Sequence, residues 1–202
     1  MKRNKFLRLK RKKIVSGYNE KFKWEIGKWY KTDKELGMCA NGFHCSLKPL
    51  DAMGYVFGEI LALVEVRGKS LKRSDKQCWS EMRIKNAYRW TKKDSVVLSI
   101  YSAELVLDNF EKEYPDDDRP RKAIEAAKKV LKNDNKRNRS AAESAESAAR
   151  SAAGSAAWSA AWSAESAAWS AAWSAAWSAW SATLNKINKW IIKHISKLEE
   201  IK

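Results

Sequence analysis

The hydrophobic positions of this chain change their spacing along its length, and each change predicts a different kind of element. Between residues 22 and 84 they fall in short aromatic or β-branched runs: FKWEIGKWY (22–30), GFHCS (42–46), ILALVEV (60–66) and QCWSEMRI (77–84). Such runs predict strands. Within LKPLDAMGYVF, Leu50, Met53 and Phe57 recur at three- and four-residue spacing, which predicts a short helix. Strands and a helix in this order predict an α+β domain with a small mixed sheet over residues 14–93.

From residue 94 the period is helical. Ala103, Val106, Phe110 and Tyr114 form one stripe, with Asp94 or Ser95 as the expected cap. Pro115 removes a backbone donor and ends this helix. RKAIEAAKKVL then predicts a second helix with Ile124, Ala127 and Leu131 on one face. Asp117 and Asp118 stand at its start, where the helix dipole favours negative charge. KNDNKRNR (132–139) reads as a polar connection, so residues 94–139 are expected as a helical pair around a DDRPRKAIEA elbow.

Beyond Ser140 the chain repeats Ser-Ala-Ala-X, and alanine is the strongest helix former. The X positions advance by three or four residues, about 3.7 on average, and so stay near one face of an α-helix. Six of them are Trp158, Trp162, Trp169, Trp173, Trp177 and Trp180, and the same face continues through Leu184, Ile187, Ile191, Ile195 and Leu198. Residues 140–202 are therefore expected as a repeat arm with a C-terminal amphipathic helix. An unbroken helix there would be roughly 90 Å long. The alternative is a hairpin broken near Gly154 or Thr183–Asn185.

Six indoles on one face carry about 1,000 Å² of apolar surface, more than a soluble monomer ordinarily leaves wet. Three covers are open: the chain's own helices, a second copy, or a foreign protein. Recurrent serine and Glu165 distinguish the tract from a membrane span. Three Glu against one Arg in residues 140–182 give it the wrong sign for stacking single-stranded nucleic acid.

The net charge of +16 is concentrated at the start, where Lys2, Arg3, Lys5, Arg8, Lys10, Arg11, Lys12 and Lys13 occur with no acid between them. Residues 1–13 read as a basic arm, either solvated or attracting a polyanion such as nucleic acid. No apolar run follows, so this is not a signal peptide, and three cysteines without a framework fit buried free thiols in a cytoplasmic setting. Cys39-x5-Cys45 with His44 lacks the spacing of a zinc site, and no metal is expected. The sequence has no phosphate-binding loop and no hydrolase or metalloprotease motif.

Two resemblances add to this reading. GKWYKTDKELGMCANGFHCSLKPLDAMGYV followed by LALVEVRGK resembles an uncharacterised domain of bacteriophage and prophage proteins, over roughly residues 14–90. The same order is similar, more distantly, to the NAD-binding half of ADP-ribosyltransferases. That likeness implies a catalytic Glu81 and a contribution from His44, with NAD as cofactor. YPDDDRPRKAIEAAKKVL with the alanine-rich repeat resembles a family of immunity proteins from bacterial toxin systems, over residues 95–182. That resemblance implies an all-helical region that binds a toxin without catalysis or cofactor. The function expected is that of a phage- or mobile-element-encoded interaction protein of immunity or anti-defence type. Its Trp stripe would serve assembly, or binding of a protein partner. An NAD-using transferase and a basic nucleic-acid binder are the alternatives.

Overall fold

Two 13-residue antiparallel strands, Ile60–Lys72 and Gln77–Arg89, organise the N-terminal half of the protein. In the order of the chain the elements are β1 (Lys5–Leu9), β2 (Tyr30–Lys31), β3 (Phe43–Cys45), α1 (Pro49–Tyr55), β4 (Ile60–Lys72), β5 (Gln77–Arg89), α2 (Lys92–Glu113), α3 (Arg119–Lys132), α4 (Trp169–Ile195) and β6 (Glu200–Ile201). The computed structural model describes residues 5–9, 14–16, 22–55, 58–141 and 169–201, with the backbone alone for Arg8 and 169–180. The fold class is α+β, as expected. The chain divides into two units, Met1–Lys92 with Asn188–Lys202, and Lys93–Ile187.

In the first unit, β4 and β5 pair from Ile60↔Arg89 to Lys72↔Gln77, with two register shifts. At the shift beside Leu63 and Val64 one extra residue, Lys85, is absorbed on β5. Ile84 and Ala87, three apart, can therefore face one core together with Ile60, Ala62, Val64 and Met82. The second shift lies between Arg67 and Ser70. Gly68 takes φ +82° there, and a Cβ on it would stand 2.2 Å from Ser80 Oγ. Glycine alone fits that bulge. Both strands outrun the predicted 60–66 and 77–84, because ladder hydrogen bonds continue past the apolar run into RGKSLK and KNAYR.

β1 covers the outer edge of β4, from Lys5↔Val64 to Leu9↔Ile60. The free edge of β5 is completed in pieces. β3 pairs at residues 77–79, β2 at 81–82, Ile26 bridges Ile84, and β6 pairs at 87–88. Reciprocal backbone hydrogen bonds between Phe6 and Ser46, 2.8 and 2.9 Å, join β1 to the end of β3. A hydrogen-bonded circuit β1–β4–β5–β3 results.

Two sequence expectations change here. Lys5–Leu9 are not part of a basic arm but a strand, with Phe6 and Leu9 buried. Apolar residues for both faces, Phe6 on one and Leu7 and Leu9 on the other, decide the structure, while the cations among them suggested an arm. Of the 22–30 segment only Tyr30 belongs to a strand, because Gly27, at φ +83°, turns the chain after Ile26. The helix at 49–55 forms as expected; Phe57 lies outside the described residues. Cys45 and Cys78 are buried, whereas Cys39 is exposed.

The end of the chain belongs to this first unit. α4 runs without a break through Thr183–Asn185, and Ile187, Ile191 and Ile195 are buried, as the aliphatic stripe predicted. The helix stops at Ile195, and Glu200–Ile201 form a strand, where a helix was expected. Four contacts hold this return. Asn188, itself buried, accepts a hydrogen bond on Oδ1 from the Leu50 backbone N–H in the first turn of α1, at 3.0 Å. His194 stacks on Trp190 at 4.5 Å and meets the buried Trp90 edge-on at 5.6 Å. Arg89 N–H then donates to the Glu199 carbonyl at 3.0 Å, and Asn86 Nδ2 to Glu200 Oε1 at 2.6 Å.

The second unit contains an antiparallel pair, α2 and α3. Ile100 and Leu107 pack with Ile124, flanked by Val96, Ala103, Ala127 and Leu131. The α3 stripe is the predicted one. On α2 the buried line is one step out of phase with the expectation, and Val106 is 45% exposed. α2 starts at Lys92, which puts Thr91 at the N-cap position and Asp94 in the first turn.

Replacing Asn188 by Ala leaves the Leu50 N–H without that acceptor in a half-buried place. The expected cost is about 1–2 kcal/mol of stability. Chemical denaturation of the full chain, followed by the near-ultraviolet signal, measures it; Asn188→Asp, which keeps the acceptor, is expected to lose less.

Candidate functional site

The structure separates the residues that sequence reasoning grouped together. His44, on β3, lines a cavity of about 400 Å³ bounded by β1, β3, α1, and Phe22, Trp24 and Lys76. Its Nε2 accepts a hydrogen bond from the Cys39 backbone N–H at 3.0 Å. Burial, and secondarily the Lys76 ammonium, hold its pKa below the usual histidine value. The ring is thus neutral near pH 7, with Nε2 free of a proton. At the same wall Lys76 Nζ lies 2.7 Å from Cys39 Sγ and over the Tyr55 ring, while the Tyr55 hydroxyl donates to Asp75. Burial pushes the Cys45 thiol up to about 12, so it stays protonated and unreactive.

Glu81 is not part of that wall. It faces Arg67, whose Nε donates to Glu81 Oε2 at 2.6 Å. Arg67 and Arg83 both lie over the Trp29 ring, 4.1 and 5.0 Å from its centre, and Arg83 Nε donates to Glu65 at 2.7 Å. Glu81 is therefore one rung of a charged ladder across β4 and β5, built on an indole.

The elbow between α2 and α3 gathers Glu113, Tyr114, Asp116, Asp117, Asp118 and Arg119 around a shallow depression. Arg119 donates from Nε and Nη2 to the two carboxylate oxygens of Asp117, at 2.8 and 2.6 Å, and its backbone N–H reaches Oδ1 at 3.2 Å. That hydrogen bonding holds the Asp117 carboxyl below its ordinary pKa. Asp118 pairs with Lys122 instead, one helical turn on, at 2.8 Å. Arg121 does not pair with either aspartate: it clamps Glu111 of α2, and Lys128 reaches Glu104 at 2.6 Å. These two bridges sit seven residues apart on each helix and fix the register of the pair. No local pattern points to Glu111, because the pairing depends on the tertiary register of two helices. Trp24 and Lys76 were missed because they reach one cavity from segments far apart in the chain.

Of the basic positions, Lys5 holds its ammonium 5.5 Å from the centre of the Trp79 ring, and Arg8 lies on the β1 backbone. Lys2, Arg3, Lys10, Arg11, Lys12 and Lys13 lie outside the described residues, as do Trp158, Trp162 and Gly154. Trp169, Trp173, Trp177 and Trp180 are on the helical backbone of α4, and their side chains are outside the description. Among the described residues no helix is long and apolar enough to cross a membrane.

The neutral His44 makes a pH prediction. Its folded pKa lies below the unfolded value of about 6.5, so acidification protonates the unfolded chain first. Stability is expected to fall as pH drops from 7 to 5.5, and Gln at position 44 to flatten that slope, as read from thermal midpoints across the range.

Comparison with known families divides the chain at the same place as the fold. Residues 8–93 match the model described as "Domain of unknown function (DUF7666)", and residues 89–176 match "Imm-5 like putative immunity protein". The matches overlap at 89–93, where β5 gives way to α2 and the two units divide. No curated protein and no solved structure matches the chain. Each half of this protein is thus similar to a separate family, and the helical half is similar to the immunity family.

Proposed function

We propose that the protein acts as an immunity-type inhibitor, occupying a partner protein through its helical half. The observation that supports this most is the match of residues 89–176 to the immunity family, within which residues 92–132 fold as a clamped helical pair. The exposed acidic elbow, where Arg119 holds Asp117 and Lys122 holds Asp118, offers a charged surface for recognition. The Trp row of the repeat supplies the apolar contact surface, either to the partner or to a second copy. The setting is the conflict between a phage or mobile element and its bacterial host, in the cytoplasm.

Charge adds a preference for an acidic target. Residues 1–92 hold 23 Lys and Arg against 9 Asp and Glu, so nearly all of the net +16 lies in the sheet half. Such a field speeds encounter with nucleic acid or with an enzyme bound to it. The NAD-transferase alternative needs Glu81 and His44 at one ligand. His44 lines the cavity while Glu81 is engaged by Arg67 outside its wall, which favours the binding reading.

Inhibition by occupancy has a stoichiometric signature. When the full chain is co-expressed with toxin domains of the systems that carry this immunity family, protection is expected to saturate near one chain per toxin. Changing Trp169, Trp173 and Trp177 to Ala is expected to reduce protection at least tenfold in dose. Protection by a small fraction of an equivalent would contradict the proposal and point to catalysis.

A further inference from the structure

The cavity in the sheet unit is distinct from the helical surface just proposed, and its wall has the composition of a small-molecule site. Its volume of about 400 Å³ lies within the range of ligand pockets. Aromatic side chains dominate one side. Trp24 meets Phe22 and Phe43 edge-on, with ring centres 5.1 and 5.5 Å apart. Edge-on packing of this kind leaves slots in which a flat ring finds both faces and edges to contact.

Charge selects the ligand further. Lys76 is a wall residue whose ammonium contacts Cys39 Sγ and the Tyr55 ring, and three donors on that group exceed these contacts. Asp75, held by Tyr55, stands beside it and moderates the attraction without cancelling it, since the whole half is strongly cationic. We propose that the cavity binds a small flat aromatic anion, with its ring against Phe22, Trp24 and Phe43 and its charge at Lys76.

Calorimetry on the full chain with 2-naphthoate tests this, with neutral 2-naphthalenemethanol as the matched control. One saturable site is expected for naphthoate, binding about tenfold more tightly than the alcohol. Lys76→Gln is expected to erase the preference over the alcohol. Ala52→Phe, which fills the cavity from α1, is expected to abolish binding. Absence of saturable binding would overturn the proposal. So would equal affinity for the neutral alcohol, or naphthoate binding unchanged in Ala52→Phe, which would place the ligand elsewhere, for instance on the indoles of the repeat.

Discussion

A 13-residue strand such as β5 has two rows of backbone donors and acceptors, and both must be met. β4 meets one row along its whole length. No single strand meets the other, so the chain completes that edge with β3, β2, the Ile26 bridge and β6, taken from far-separated positions. An open edge of this length would be a site of association with other chains. Completing it in pieces removes that hazard and, in doing so, fixes where the remaining parts of the first unit lie.

The consequences reach from the tail to the cavity. Because β6 pairs with Ala87 and Tyr88, the chain must come back at Asn188, which is why a residue beyond the repeat meets an amide of α1. Because β3 pairs with one end of β5 while Ser46 bonds Phe6, the strands form a circuit instead of an open ribbon. A hydrogen-bonded circuit with aromatic residues inside it leaves space that rigid rings cannot fill completely. The cavity beside Trp24 lies against β1 and β3 of that circuit. The helical pair follows a simpler constraint: two short apolar stripes, one elbow, and ion pairs that fix register more than they add stability.

Local pattern made much of this legible in the sequence. GFHCS and ILALVEV announced strands because aromatic and β-branched residues suit a pleated surface. YPDDDRP announced an elbow because Pro115 stops one helix and acids favour the start of the next. The aliphatic stripe 187, 191 and 195 announced a buried face. What could not be read was long-range. Nothing near Leu50 indicates an acceptor 138 residues away, and nothing near Arg121 indicates Glu111. In Lys5–Leu9 the dense positive charge hid three apolar residues, Phe6, Leu7 and Leu9, and the strand signal was outweighed by the arm signal. Glu81 illustrates the reverse case: a residue type and spacing that fit a family motif, in a place where Arg67 and Trp29 give it a structural partner.

The central claim is that the last residues of the chain complete the edge of β5. Hydrogen exchange at the Arg89 amide tests it most directly, since that N–H donates to the Glu199 carbonyl at 3.0 Å. Comparing the full chain with one ending at Leu198, the account predicts that Arg89 loses its protection, while amides of β4 opposite β1 keep theirs. Equal protection of Arg89 in both chains would contradict it.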